Sequence, residues 1–279
     1  MEVEFLAPST AEEAVRAMAG PGRSVALAGG TDLLPDLEDG RASADRIVSL
    51  TRLPWKTFGR SGGRLRIGST VPMRSLERDP TMSRDLPGLY AALRSVGSVP
   101  LRHRATLGGN LARGSPASDL LPILLALDAQ VHLVGPSGSR TTPLAPFLRA
   151  SRSVDLGPGE LIEAVELPSS APSAYVWQRV RPSNDISQVG VAVARPPGSP
   201  GWAVALGGVV PKPVRVPRAE EHLRAARPTR EECERAAEIA AREAPFASDR
   251  RATETYRRGL VKVLLGRALA EAGAREAAA

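Results

Sequence analysis

Helical and strand-like spacings of apolar residues alternate along this chain, beginning with a helical pattern near the N-terminus. Small and apolar side chains recur at helical spacing over 9–20. Two overlapping capping boxes, Ser9 with Glu12 and Thr10 with Glu13, precede this stripe. The pattern predicts a short amphipathic helix that opens the fold.

Short apolar runs farther along the chain predict strands, and a helical spacing over 86–96 predicts another helix among them. The first of these strands is expected to be buried. Proline and serine cluster at 168–173, where turn chemistry without periodicity predicts a domain boundary. The strands before this boundary are expected at 24–28, 46–50, 64–70, 129–135 and 160–167.

The region after the boundary predicts a second unit. Apolar runs at 173–180, 186–194 and 202–210 have short links, which favours a three-stranded antiparallel sheet. Two helices follow, one beginning at Thr229 and one over about 250–272. The whole chain is therefore expected to be α+β. The last helix is expected to bury a stripe formed by Tyr256, Leu260, Val263, Leu264 and Ala268.

Composition narrows the class of protein. The 279 residues are 42% hydrophobic, which is enough for real cores. A single cysteine, Cys233, excludes an internal disulfide framework and any multi-cysteine cluster supplied by this chain alone. No leader pattern and no apolar run long enough to span a bilayer stand out, so no membrane span is expected. The sequence indicates a cytoplasmic protein.

Charge raises the question of an acidic partner. The net charge is +7, but the basic residues are spread along the chain and aromatic residues make up only 4%. Nucleic-acid binding is therefore not expected, because base stacking needs aromatic platforms and a basic patch. His103, His132 and His222 are far apart in the sequence, so no metal site is predicted.

Two paired glycines carry the candidate chemistry. Gly29-Gly30 follows a predicted strand, and Gly108-Gly109 is expected to form a similar turn. Such turns allow main-chain N–H groups to point outward together as an anion-binding nest, and two of them suit a pyrophosphate. Each pair is also compatible with an ordinary turn. The spacing differs from the Gly-x-Gly-x-x-Gly fingerprint, so an ordinary Rossmann site is not indicated.

A helix is predicted shortly after the second glycine pair. Ser115-Pro116 has the chemistry of an N-cap followed by proline at the first helical position, and the helix is expected to run to about Leu127. Asp119 then falls in the first turn. It is able to accept hydrogen bonds from ribose hydroxyls, or simply to interact favourably with the helix dipole.

Several long stretches together resemble a known family. The segments LAGGTDLLPDL (27–37), RATLGGNLARGSPASDLLPILLALDAQV (104–131), ELIEAVELP (160–168) and DRRATETYRRGLVKVLLGRAL (249–269) resemble the FAD-binding medium subunit of the molybdenum hydroxylases. This is the family of xanthine dehydrogenase, aldehyde oxidoreductase and carbon monoxide dehydrogenase. The resemblance covers nearly the whole chain.

The resemblance implies a fold and its division. It implies a PCMH-type FAD-binding domain at 1–168, made of two α/β subdomains at about 1–55 and 56–168. A C-terminal domain of the CO dehydrogenase flavoprotein type follows at 173–279, with a three-stranded antiparallel sheet and helices.

The resemblance also implies where FAD lies. Both glycine stretches would wrap its pyrophosphate, Asp119 would contact a sugar portion, and Ile162 and Val96 would lie against the cofactor unless they are core residues. Arg181 lies in the loop near the flavin ring, but Pro182 and Ser183 depart from the family pattern, and Trp177 replaces a lysine found in some relatives. The implied cofactor-binding residues are Leu27, Ala28, Gly29, Gly30, Thr31, Asp32, Leu33, Leu34, Ala105, Thr106, Gly108, Gly109, Asn110, Asp119, Ile162 and Arg181.

The function implied by the resemblance is electron transfer within a hetero-oligomer. A large subunit would carry the molybdenum cofactor, a small subunit would carry iron–sulfur clusters, and this chain would pass electrons through FAD to an external acceptor. No residue of this chain is assigned a catalytic role. A stand-alone FAD oxidase or reductase and a flavin-less assembly or scaffold subunit remain alternatives. Gly108→Val is expected to abolish flavin retention with the fold preserved, by filling the cradle.

Overall fold

A computed structural model describes residues 3–182, 184–209, 211–225 and 227–277. Ser183 in the predicted loop and Val210 at the end of a predicted strand therefore lie outside the described residues. The chain begins with a small parallel sheet whose strand order is β1-β3-β2. Its elements are β1 (Glu4–Leu6), α1 (Ala11–Ala19), β2 (Ser24–Leu27), α2 (Leu33–Glu38) and β3 (Arg46–Ser49).

The first helix begins as predicted, with one change in its cap. The hydroxyl of Thr10 accepts a hydrogen bond from the main-chain N–H of Glu13, and the Glu13 carboxylate accepts from the N–H of Thr10. Ser9 also donates to Glu13, so it does not form the predicted box with Glu12. The predicted strand at 24–28 is half-buried, because β2 is an edge of its sheet.

A five-stranded antiparallel sheet forms the second unit, with strand order β4-β5-β10-β6-β7. Short helices and a small hairpin, β8 with β9, lie between its strands. The elements in chain order are β4 (Phe58–Ser61), β5 (Arg64–Gly68), α3 (Met73–Glu77), α4 (Met82–Asp85), α5 (Pro87–Ser95), α6 (Val99–Arg104), α7 (Leu107–Arg113), α8 (Leu120–Ala126), β6 (Gln130–Gly135), β7 (Gly138–Pro143), α9 (Leu144–Phe147), β8 (Leu148–Ala150), β9 (Ser153–Val154) and β10 (Leu161–Pro168).

The C-terminal unit contains the three predicted antiparallel strands, and a two-residue strand extends the sheet at one edge. The predicted capping box of Thr229 with Glu232 is present at the start of α11. The elements are β11 (Ser173–Gln178), β12 (Val189–Ala194), β13 (Ala203–Gly207), β14 (Val214–Arg215), α10 (Pro217–Glu220), α11 (Arg230–Glu243) and α12 (Glu254–Ala277).

The buried stripe of α12 is rotated from its predicted position. Tyr256 and Val263 are 47% and 51% exposed, so their predicted burial is wrong, whereas Leu264 and Ala268 are buried. The helix packs against both α11 and the sheet, and this broad contact selects the face with the most aliphatic residues. The buried positions are Arg257, Val261, Leu264, Leu265, Ala268, Leu269 and Ala272.

The C-terminal sheet is covered on both faces, which joins the units into one packed body. On one face, Tyr175, Ala192 and Ala205 belong to the core formed with the five-stranded sheet. On the other face, Val191 and Val204 pack into the core beneath α11 and α12. Burial on both sides explains why β12 is continuously apolar. The domain limits at 168 and 173 stay a prediction. Among the described residues, no helix combines the length and apolarity that crossing a bilayer requires.

Candidate cofactor site

A cleft of about 680 Å³ lies where the parallel sheet meets the second unit. Its volume is in the range of small-molecule and cofactor sites. The predicted site residues that line it are Ala28, Gly29, Gly30, Thr31, Asp32, Leu33, Ala105, Thr106, Gly108, Gly109, Asn110, Asp119 and Ile162. The fold therefore brings both glycine stretches, which lie far apart in the sequence, to one cavity.

Close main-chain contact explains the first glycine pair. A Cβ atom on Gly29 would lie 2.0 Å from the carbonyl oxygen of Arg104, so only glycine permits this loop to touch the segment that leads into α7. Gly30 has a φ of +76°, in the left-handed region that favours glycine. The two residues thus join the glycine loop of 28–33 to the second motif.

The glycine loop also offers free hydrogen-bond donors. Within the described chain, the main-chain N–H groups of Gly29, Gly30, Thr31 and Asp32 donate no hydrogen bond. Unpaired N–H groups on consecutive residues bind oxyanions well. The four residues line a cavity of cofactor size, so this loop fits the diphosphate of a dinucleotide.

The second glycine pair differs from its prediction. Gly108 and Gly109 are the second and third residues of α7 rather than a free turn, and Thr106 is the N-cap. The N–H of Gly109 donates to the Thr106 hydroxyl at 3.0 Å, and that of Gly108 donates to the Ser69 carbonyl at 3.1 Å. Both donors are used within the protein. This motif therefore provides a wall without side chains, and the expected second nest of free N–H groups is wrong.

The two glycines of α7 face different surroundings. A Cβ on Gly108 would lie 2.4 Å from the Cβ of Ser69 and 2.6 Å from its carbonyl oxygen. A Cβ on Gly109 would meet only the Thr106 hydroxyl, at 3.1 Å. Gly108→Val would therefore disturb packing inside the protein, contrary to the expectation that it fills the cradle with the fold preserved. Gly109 is the position where a side chain would enter the cleft.

Asp119 lies at the cleft wall in a buried polar network. It is the N-cap of α8, which begins at Leu120 and not at the predicted Ser115-Pro116. Its carboxylate accepts hydrogen bonds from the Tyr175 hydroxyl at 2.6 Å, the Ser187 hydroxyl at 2.6 Å and the Arg179 guanidinium at 2.5 Å. A carboxylate has about four acceptor positions, so one further donor can be accommodated. Contact of Asp119 with a sugar of FAD stays a prediction.

Three stacked side chains on β11 and just beyond it support this network. The ring of Trp177 stacks on Tyr175 at 5.5 Å between centroids, and the Arg179 guanidinium lies 5.2 Å from the Trp177 ring. Arg179 also donates to the Ser95 carbonyl at 3.0 Å. Burial, followed by the charge of Asp119, raises the pKa of the Tyr175 phenol well above its usual value, so this hydroxyl stays neutral and donates.

Sequence reasoning missed the partners of Asp119 in this network, of which Arg179 carries the charge. Alternation along a strand places residues 175, 177 and 179 on one face, and this period was visible in the sequence. The pairing of Arg179 with Asp119 could not be predicted from a local pattern, because the two residues are 60 positions apart along the chain.

Three predicted residues do not line the cleft in the described structure. Leu27 and Leu34 flank Gly30, since a Cβ there would lie within 3.2 Å of a methyl group of each. Arg181 is 68% exposed and pairs with Asp185, at 3.5 Å. Val96 lines the cleft although it also packs against the core. Among the described residues, no cluster of three or more metal-ligating side chains is present.

Arg181→Gln is expected to change the dissociation constant for FAD by less than about twofold, because an exposed ion pair contributes little. Titration of the flavin-free chain with FAD, followed by flavin fluorescence, measures this constant. A loss of tenfold or more would show that Arg181 turns toward the cofactor when FAD binds.

The fold and cleft are those of an FAD-binding protein, and comparison with known proteins identifies the family. Residues 1–170 match the model of the FAD binding domain in molybdopterin dehydrogenase, and residues 174–272 match the CO dehydrogenase flavoprotein C-terminal domain. The chain belongs to the family of FAD-binding medium subunits of the molybdenum hydroxylases.

Two relatives match over nearly their whole length. The nicotine 6-hydroxylase medium subunit of Paenarthrobacter nicotinovorans is 30% identical over 277 residues, covering 98% of both chains. The carbon monoxide dehydrogenase medium chain of Hydrogenophaga pseudoflava is 28% identical, covering 98% of this chain and 97% of that one. A solved structure of carbon monoxide dehydrogenase from the same organism superposes with a TM-score of 0.90 at 27% identity, covering 99% of this chain and 98% of its counterpart.

Proposed function

We propose that this chain is the electron-transfer subunit of a cytoplasmic molybdenum hydroxylase. It accepts electrons from iron–sulfur clusters of a small partner subunit and passes them to an external acceptor. These electrons come from substrate oxidation at the molybdenum cofactor of a large partner subunit. When bound, FAD supplies the electron-carrying chemistry, and the protein supplies position and electrostatics.

The observation that carries this proposal is the cleft in which both glycine stretches meet. The free N–H groups of the glycine loop would bind the diphosphate, and the bare surface at Gly109 would let the cofactor approach the main chain. Val96 and Ile162 give the cleft apolar surface on which a planar ring system would pack. These residues bind, orient and shield a cofactor.

The residues that line the cleft give less support to a stand-alone flavoenzyme than to an electron-transfer subunit. Such an enzyme needs an acid or base beside the ring, and no histidine is among the described residues that line the cleft. Three of the lining carboxylates are already ion-paired: Asp119 with Arg179, Glu160 with Arg140, and Asp185 with Arg181. A flavin-less scaffold role would not explain why the N–H groups of the glycine loop are free.

Purification of the tagged chain from its native host tests the assignment. The proposal predicts that molybdenum, iron and FAD co-elute with the chain in constant ratio, measured by elemental analysis and flavin absorbance. FAD without either metal would support a stand-alone flavoprotein. Both metals without FAD would support a scaffold subunit.

A second measurement tests the direction of electron flow. After FAD is stripped from the assembly, dithionite should still bleach the iron–sulfur absorbance. Reoxidation by NAD, oxygen or a quinone should slow at least about tenfold and recover when FAD is added back. Unchanged reoxidation without FAD would contradict an electron outlet in this chain.

A further inference from the structure

The charged side chains that line the cleft are nearly all neutralised within the protein. Asp119, Glu160 and Asp185 each have an arginine partner, and Arg113 pairs with Asp36 at 2.6 Å. Among the charged lining residues, Asp32 and Arg152 alone have no ionic partner in the described part of the chain. Arg152 is thus the cation of this cleft that is available to a ligand.

Arg152 occupies a strained position in the backbone. It lies in the two-residue connection between β8 and β9, with a φ of +56°. The left-handed region is rarely adopted by residues other than glycine, asparagine and aspartate, and such strain persists where the surroundings hold it. A hairpin tip that needed no side chain would place glycine here without strain.

The hairpin is held against the helix that carries the second glycine pair. The N–H of Arg152 donates to the carbonyl of Gly114, at 3.0 Å, and Gly114 is the C-cap of α7. A Cβ on Gly114 would lie 2.8 Å from a methyl group of Val154, so the hairpin and the helix end are in close contact. The tip therefore has a fixed place relative to the cofactor motif.

The base of the hairpin is fixed as well. Asp155 accepts hydrogen bonds from Arg149 at 2.7 Å and Arg140 at 3.1 Å, and its N–H donates to the Phe147 carbonyl. Arg140 is also bidentate to Glu160, a lining residue. Anchoring at both ends limits the movement of Arg152 and lowers the entropy lost when a ligand binds it.

We propose that Arg152 binds the diphosphate of FAD and that the β8–β9 hairpin is part of the cofactor site. The glycine loop supplies neutral N–H donors, and Asp32 adds a negative charge to the same cavity. A guanidinium offsets the charge of both the carboxylate and the diphosphate, and its planar fork matches phosphate oxygens. The resemblance to the family did not assign this residue a role.

Substitution of Arg152, with the flavin-free chain titrated with FAD, tests the inference. Arg152→Gln is expected to raise the dissociation constant about tenfold at 20 mM NaCl. The ratio to the parent chain should fall below about threefold at 500 mM NaCl, because salt screens an exposed ionic contact. Arg152→Lys should recover most of the affinity.

Two further variants separate the ligand contact from a structural role. Arg152→Gly removes the backbone strain and the charge together, so it should unfold at the same urea concentration as the parent or higher, yet bind FAD as weakly as Arg152→Gln. Arg230→Gln removes an exposed arginine of α11 whose partner is Glu234, away from the cleft. It should leave the FAD affinity within about twofold of the parent.

Two results would overturn the role of Arg152. One is an FAD affinity of Arg152→Gln within twofold of the parent, and the other is a loss of equal size at both salt concentrations, which would indicate stacking on the adenine. Either leaves the proposed function intact. A parent chain that takes up no FAD would overturn both the role of Arg152 and the proposed function.

Discussion

Gly109→Leu is expected to abolish FAD retention while the chain stays folded. The Cβ of residue 109 would meet only the Thr106 hydroxyl inside the protein, so a longer side chain extends into the cleft. The dissociation constant for FAD should rise about 100-fold or more, equivalent to roughly 3 kcal/mol. The flavin-free variant should be at least as stable as the parent, because leucine favours a helix more than glycine by up to about 1 kcal/mol.

Two other glycines provide matched comparisons for this variant. Gly259 lies on α12 with no atom within 4 Å of a Cβ placed there, so Gly259→Leu should retain FAD with parental affinity. Gly108→Val should lose both FAD and stability, because of its contact with Ser69. Urea unfolding and FAD titration of the three variants give the comparison. Parental FAD affinity in a folded Gly109→Leu variant would show that the cofactor does not approach α7.

Arg179→Met is expected to lower the free energy of unfolding by about 3–5 kcal/mol, because it leaves the buried carboxylate of Asp119 without its counter-charge. Both side chains are less than 10% exposed, at 6% for Arg179 and 9% for Asp119. The same change removes the stack on Trp177 and the bond to the Ser95 carbonyl. Urea denaturation of the flavin-free chain measures the loss.

The double variant Asp119→Asn with Arg179→Met tests whether the unpaired Asp119 carboxylate causes this loss of stability. It should recover a large part of the stability lost in Arg179→Met, since the unpaired charge is gone while Tyr175 and Ser187 keep an acceptor. Arg64→Met is a suitable control because Arg64 pairs with Glu166 while 37% exposed, and it should cost less than about 1 kcal/mol. Equal losses of unfolding free energy in Arg64→Met and Arg179→Met would contradict the importance of the buried ion pair.

The sequence predicted the elements whose local signals agree. The capping boxes at Thr10 and Thr229 are present as predicted, and the strands expected at 64–70, 129–135 and 160–167 form as β5, β6 and β10. In each case the side-chain pattern and the start or stop signal point to the same conformation, so tertiary contacts had nothing to override.

The remaining differences have tertiary causes. Glycine is a poor helix former, which made Gly108-Gly109 look like a turn, but the Thr106 cap and the contact with Ser69 stabilise the start of α7. The pairing of Asp119 with Arg179 joins residues from the two sides of the predicted boundary, and no local pattern reveals such a contact. The resemblance located the cleft through its glycine motifs, whereas the role proposed for Arg152 depends on a hairpin conformation.

The central claim is that the cleft holds one FAD, and its most direct test is the absorption spectrum of the purified chain. The spectrum should be recorded before and after incubation with FAD, with mass spectrometry of the released cofactor. We expect a flavin spectrum with about one non-covalent FAD per chain, lost in the Gly109→Leu variant. A folded parent chain that takes up no flavin at high FAD would contradict the account.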